Sequence, residues 1–175
     1  MSVPIVHLVP LLTDKGFTNE SASSVLMVLM FSGIFGRILG GKLGDMYGAL
    51  PGYMMMSFGQ TISVFWFPFL DSIFALYALA IFFGFTYSGV MSAILVCART
   101  MVPPSYAARM MSITAFFGWG GMGMGGFVGG YLFDLQDNYF WSFYFATMVG
   151  ATNLGILGLL ALRIRQARVR EEVFS

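Results

Sequence analysis

The chain has 175 residues, 58% hydrophobic and 10% charged, whereas soluble domains run at roughly 45 to 50% apolar and about 25% charged, so the bilayer is its solvent. A net charge of +1 with dispersed cations leaves no basic patch and sets nucleic acid aside as a partner. One cysteine, Cys97, and one histidine, His7, exclude an internal disulfide and a cysteine and histidine metal cluster, and nothing calls for a cofactor.

In chain order, Val3 to Leu12 is apolar but reaches only about half way through ~30 Å of hydrocarbon at ~1.5 Å per helical residue. It reads as the second half of a helix whose first half lies upstream. No basic residue precedes it and no small-residue cleavage site follows, so it is not read as a signal peptide. The segment TDKGFTNESAS then has the charge, glycine and capping residues of a short exposed loop. Five stretches are long enough to span: Val25 to Leu43, Gly52 to Leu70, Ile73 to Cys97, Met110 to Phe133 and Phe140 to Leu162. The expected fold is therefore an all-α membrane bundle of five full spans and one partial span.

Lysine and arginine near span ends collect on the cytoplasmic side. Numbering the gaps alternately puts Lys42, Arg99, Arg109, Arg163, Arg165, Arg168 and Arg170 on one side, and Lys15 alone on the other. The multi-pass chain is thus expected in a plasma or inner membrane, with residues 166–175 as a cytoplasmic tail. The tail arginines are read as a topology determinant ahead of a site for anionic lipid.

An internal repeat is visible. GGKLGD, Gly40 to Asp45, recurs as GGYLFD, Gly129 to Asp134, 89 residues later, and Gly36 and Gly125 extend the match. Three spans separate the copies, so the second copy is inverted, dividing residues 1–165 into units of about 1–70 and 71–165. Three-plus-three inverted repeats are a transporter architecture with substrate sites near the midplane.

Small residues at helical spacing mark close helix approaches. Gly33, Arg37, Gly40, Gly41 and Gly44 are read as one face of the first full span, and Gly118, Gly121, Gly125 and Gly129, with Gly126 and Gly130, as a face of the fourth. Such faces serve static packing or the sliding of two halves. Arg37 lies about 12 Å below Asp45, where an arginine costs ~2.5 to 3.5 kcal/mol on insertion scales and faces a cavity or partner. Its fork matches a carboxylate, giving a substrate-binding reading beside a structural one. His7, with an unperturbed pKa of ~6.5, is either a proton shuttle or a hydrogen-bonded structural residue. Tyr87, Ser88 and Trp119 are candidate cavity liners that would serve packing equally, and Tyr139, Phe140 and Trp141 belong to an interfacial belt.

The segment GKLGDMYG, Gly41, Asp45 and Gly48 at its marked positions, resembles the loop motif of the major facilitator superfamily. Its usual basic residues are replaced here by Met46, Ala49 and Leu50. RTMVPPSYAAR and the GGYLFD ending resemble the same superfamily, and the likeness covers the chain as helices seven, in part, to twelve. HLVPLLTDKGF and GRILGGKLGD are similar to the monocarboxylate porters and the oxalate and formate exchangers, which place an arginine where Arg37 stands. The resemblance implies that Arg37 binds a substrate carboxylate. Many monocarboxylate porters carry an aspartate one turn earlier, where this chain has Gly33, so a proton site would fall to His7 or to another half.

The resulting expectation is the C-terminal half of a transporter for a small organic anion such as a monocarboxylate, working by symport or antiport. It would sit in the lipid bilayer against an N-terminal half or a second copy. The alternative is a truncated or non-transporting membrane protein that packs with a partner half. An intramembrane enzyme is the weakest reading, since the spans offer no acidic pair and no positioned base.

Overall fold

The computed structural model describes residues 2–174, apart from the side chains of Arg168 and of residues 171–174. Six helices follow one another: α1 Val3–Asp14, α2 Asn19–Tyr47, α3 Ala49–Trp66, α4 Ile73–Thr100, α5 Pro104–Gln136 and α6 Phe140–Phe174, with a 3-10 turn Phe67–Phe69 closing α3. Among the described residues there is no strand, and the fold is all-α as expected.

The helices run past the apolar stretches because a helix ends where its backbone is capped, not where hydrophobicity ends. α2 starts at Asn19, where the Thr18 hydroxyl accepts from the Ser21 N–H at 3.2 Å. Pro4 and Pro104 open α1 and α5, where a missing N–H costs nothing. Asp137, left-handed at φ 55°, stops α5. Gly48, at φ 95°, turns α2 directly into α3, a conformation that a Cβ would strain. The segment expected as a separate tail from residue 166 continues α6 instead, its Arg, Gln and Ala being good helix formers.

α2, α4 and the Phe140–Ala167 part of α6 are long and apolar enough to cross a membrane by composition alone. α3 and α5, also counted as spans in the sequence, are diluted by Ser57, Gln60, Thr61 and Ser63 in one and by a glycine run in the other. The four polar residues of α3 are buried, with the Thr61 and Ser63 hydroxyls bonded to carbonyls one turn back, while Gly125 and Gly129 of α5 pack against Ser2 and His7. The exterior is apolar, with Met27, Phe31, Ile38, Phe74, Phe116 and Phe127 all exposed, as lipid requires.

The loops sort to two ends. At one end the α1–α2 loop meets the α3–α4 loop, where Lys15 Nζ donates to the Pro68 and Leu70 carbonyls at 2.7 and 2.8 Å and pairs with Asp71 at 2.8 Å. A cleft of about 500 Å³ there joins Asp14 and Lys15 to Asp137, Asn138 and Tyr139 of the α5–α6 loop. At the other end the α2–α3 turn, the end of α4 and the middle of α6 share a core of Leu50, Tyr53, Val90, Ala93, Cys97 and Leu157. A larger core of Leu8, Leu12, Val25, Leu29, Phe67, Phe83 and Phe143 lies nearer the first end.

Neighbour relations within the bundle have a regularity. Exchanging α1 with α4, α2 with α5 and α3 with α6 turns each principal helix pairing into another that is also present. Thus α2 against α4 becomes α5 against α1, and α3 against α6 maps onto itself. The matched glycines follow: Gly36 and Gly40 face α4 at Phe85 and Gly89, while Gly125 and Gly129 face α1 at Ser2 and His7.

Candidate functional site

α2 and α4 run parallel in close contact from Ser24 beside Tyr77 to Gly44 beside Val96. Their backbones approach through Gly33, Gly36 and Gly40 on α2 and Gly84 and Gly89 on α4. A Cβ on Gly40 would lie 2.6 Å from the Gly89 Cα, and one on Gly84 would overlap the Leu29 carbonyl oxygen. Ser32 binds the two helices again, its hydroxyl hydrogen-bonded at 2.9 Å to both the Leu29 and Ile81 carbonyls. The packed stripe is therefore Gly33, Gly36, Gly40 and Gly44, all buried. Arg37 and Gly41 fall beside it: Arg37 is exposed, and nothing lies within 4 Å of a Cβ on Gly41. The contact is made instead by Gly36 and Gly40, each one residue and about 100° before Arg37 and Gly41, so the expected face was out of phase at these two positions.

At the margin of this seam, Arg37 has no hydrogen-bond or ion-pair partner among the described residues. Tyr87 of α4 lies within electrostatic reach of it. Tyr87 is buried at 8% exposure, stacks on Phe83 with centroids 5.5 Å apart, and donates its hydroxyl to the Met122 sulfur of α5 at 3.4 Å. Met122 also accepts, through its carbonyl, from the Ser2 hydroxyl at 2.8 Å. Tyr87, Met122 and Ser2 thus tie α4, α5 and the start of α1 together, with Arg37 of α2 in electrostatic reach of the first. Ser2 and Met122 were missed because neither residue type signals a site; only the crossing of the helices makes them neighbours.

Gly33, one turn before Arg37, abuts the Ser88 hydroxyl and the Gly84 carbonyl oxygen. A side chain at this position would have to displace the Ser88 hydroxyl. The contact accounts physically for the glycine at that position and gives Ser88 a packing role.

His7 does not join Arg37. It is buried against α5, donates Nε2–H to the Gly126 carbonyl at 3.0 Å, and lies 2.8 Å from where a Gly129 Cβ would be. Because a carbonyl can only accept, Nε2 is a nitrogen that carries a hydrogen here. Tyr139 packs on the ring at 5.4 Å and stacks on Phe133 at 4.2 Å. Burial, reinforced by the Asp14 and Asp134 carboxylates, holds the Tyr139 hydroxyl above its ordinary value near 10.

Trp119 is 72% exposed and stands apart from Tyr87 on the outer side of α5. Gly118, Gly120, Gly121 and Gly123 meet nothing within 4 Å, so the face that includes Gly121 has no packing partner among the described residues, whereas Gly125 and Gly129 do. In the loop motif, Gly48 is required by its backbone angle; Gly41 is open and Asp45 is exposed at the end of α2.

Comparison with known proteins agrees with this architecture. The family model described as Major Facilitator Superfamily matches residues 1–174. Monocarboxylate transporter 13 of Rattus norvegicus is 31% identical over 168 residues, which cover 89% of this chain and 37% of that protein. The chain therefore spans a little over a third of the length of that relative. An all-α bundle with paired glycine seams, a turn made by the motif's last glycine and a family match along nearly its whole length make this multi-pass chain a member of the major facilitator superfamily, with its similarity to the monocarboxylate type.

Proposed function

We propose that the chain carries the anion-binding half of a membrane transporter for a small organic anion such as a monocarboxylate, with Arg37 receiving the carboxylate. One observation carries the reading: a guanidinium well inside the long apolar helix α2, unpaired among the described residues and within electrostatic reach of Tyr87, whose hydroxyl ties α4 to α5. A charge so placed needs a counter-ion, because an unpaired one is costly in a membrane, and a carboxylate fits its fork. The printed name of the rat relative supports the same class of substrate. Tyr87 would shape the apolar side of the site, and the open face of α5 around Gly121 and Trp119 would meet an N-terminal half or a second copy. The units 1–70 and 71–165 would be inverted copies, which the exchange of helix pairings supports. The basic end, with Lys42, Arg99, Arg109 and the arginines of α6, would face the cytoplasm across a plasma or inner membrane.

The test is uptake of a labelled monocarboxylate into vesicles bearing the complete assembly, with wild type beside Arg37→Gln. Loss of uptake with insertion unchanged is the expected result. Full uptake by the variant would remove Arg37 from the site.

A further inference from the structure

The seam between α3 and α6 lies away from Arg37. Tyr53, Gln60 and Phe67 recur every seven residues along α3 and its closing turn, so they share a face. The two ends of that face meet α6: the Tyr53 hydroxyl faces Asn153 Oδ1 at 3.5 Å, and Phe67 packs on Phe143 with centroids 6.1 Å apart. The helices are antiparallel, so Gln60, midway, stands opposite the stretch Ala146 to Gly150. All three positions are buried, and the two on α6 are the smallest residues available. Gln60 is 2% exposed, yet its Nε2 has no hydrogen-bond partner among the described residues.

We infer that this seam holds a buried water molecule at mid-depth, bound by the Gln60 carboxamide and by α6 backbone. A buried amide donor must be paired, and lipid cannot do it. No side chain of α6 can reach it from Ala146 or Gly150. In a helix the carbonyl of residue i runs beside residue i+4, so the missing side chain of Gly150 bares the second lone pair of the Ala146 carbonyl. Ser57, one turn from Gln60 and 3% exposed, adds a hydroxyl. A water here has the two to four polar partners that ordered internal waters need. The same small residues that let helices touch elsewhere leave space here, because the bulky pairs Tyr53 with Asn153 and Phe67 with Phe143 hold the two helices apart at either side.

X-ray hydroxyl-radical footprinting of the chain in lipid nanodiscs tests this, since radicals formed from a bound water label the side chains beside it. Phe143 and Phe83 are both 0% exposed, but only Phe143 adjoins the seam. Phe143 should label several-fold faster than Phe83 and fall to the Phe83 rate in Gln60→Leu. Should that variant fail to fold, Gly150→Ala, which puts a methyl in the space, should give the same fall. Equal slow labelling of both phenylalanines in the wild type, or labelling of Phe143 that persists in a folded variant, overturns the inference.

Discussion

The α2–α4 seam makes a sharp prediction because two glycines five residues apart on one helix have opposite surroundings. An alanine Cβ at position 36 would fall 2.7 Å from the Phe85 carbonyl carbon and 2.8 Å from its Cα, besides overlapping the carbonyl oxygen. These are backbone atoms, which yield only if the helices part. Overpacking costs typically ~1 to 3 kcal/mol, and the rigid neighbour puts Gly36→Ala at the upper end. Alanine recovers up to ~1 kcal/mol of helix propensity over glycine, leaving a net loss of about 2 kcal/mol. Gly41 meets nothing within 4 Å, so Gly41→Ala should be neutral or stabilising by up to ~1 kcal/mol. Thermal unfolding in detergent followed by circular dichroism should therefore separate the two variants by several degrees, with Gly36→Ala below wild type and Gly41→Ala at or above it. Gly36→Ala melting at or above Gly41→Ala would refute the reasoning.

Other expectations follow from named contacts. Lys15→Met removes donors to the Pro68 and Leu70 carbonyls as well as the Asp71 pair, and should cost about 1 to 3 kcal/mol. Asp71→Asn, which removes only an exposed partner, should cost under ~1 kcal/mol; chemical denaturation compares the two, and equal losses would contradict the carbonyl caps. Tyr139 is held protonated above its ordinary value by burial and then by Asp14 and Asp134. Its folded value exceeds its unfolded one, so its contribution to stability is present below pH ~10 and is lost as pH rises through the folded value. Absorbance titration at alkaline pH, taken as the difference from Tyr139→Phe, should show Tyr139 ionising late, and Asp14→Asn with Asp134→Asn should bring it part of the way back. Gly33→Asp should lower thermal stability by several degrees, because its side chain would have to displace Ser88 from the α2–α4 contact; unchanged melting would show that the seam can open.

Much of this was legible in residue order. Composition indicated the solvent, the apolar runs located all six helices, α1 and α4 most closely, and the alternation of loops set Lys15 apart from the other cations, at the end where it pairs with Asp71. The recurrence of GGxLxD named the glycines that do pack, Gly40 and Gly129. Phase was less legible. Gly36 and Arg37 are adjacent in sequence and about 100° apart on the helix, and only contact with Phe85 shows which one faces α4. Gly121 and Gly125 look alike as text, yet only the second meets α1. His7 reads from its chemistry as either a proton shuttle or a hydrogen-bonded structural residue, and only the folded helices bring the Gly126 carbonyl to it. Gln60 drew no attention in a stretch read simply as apolar, because being buried without a partner is a property of the assembled helices.

The account turns on Arg37 meeting a negative charge, and equilibrium binding tests that most directly. Affinity should be measured in nanodiscs for a short monocarboxylate and for its uncharged amide isostere, in wild type and in Arg37→Gln. The wild type should bind the carboxylate at least tenfold more tightly, and Arg37→Gln should bind both alike. A preference for the carboxylate that survives in a folded Arg37→Gln variant would contradict the account.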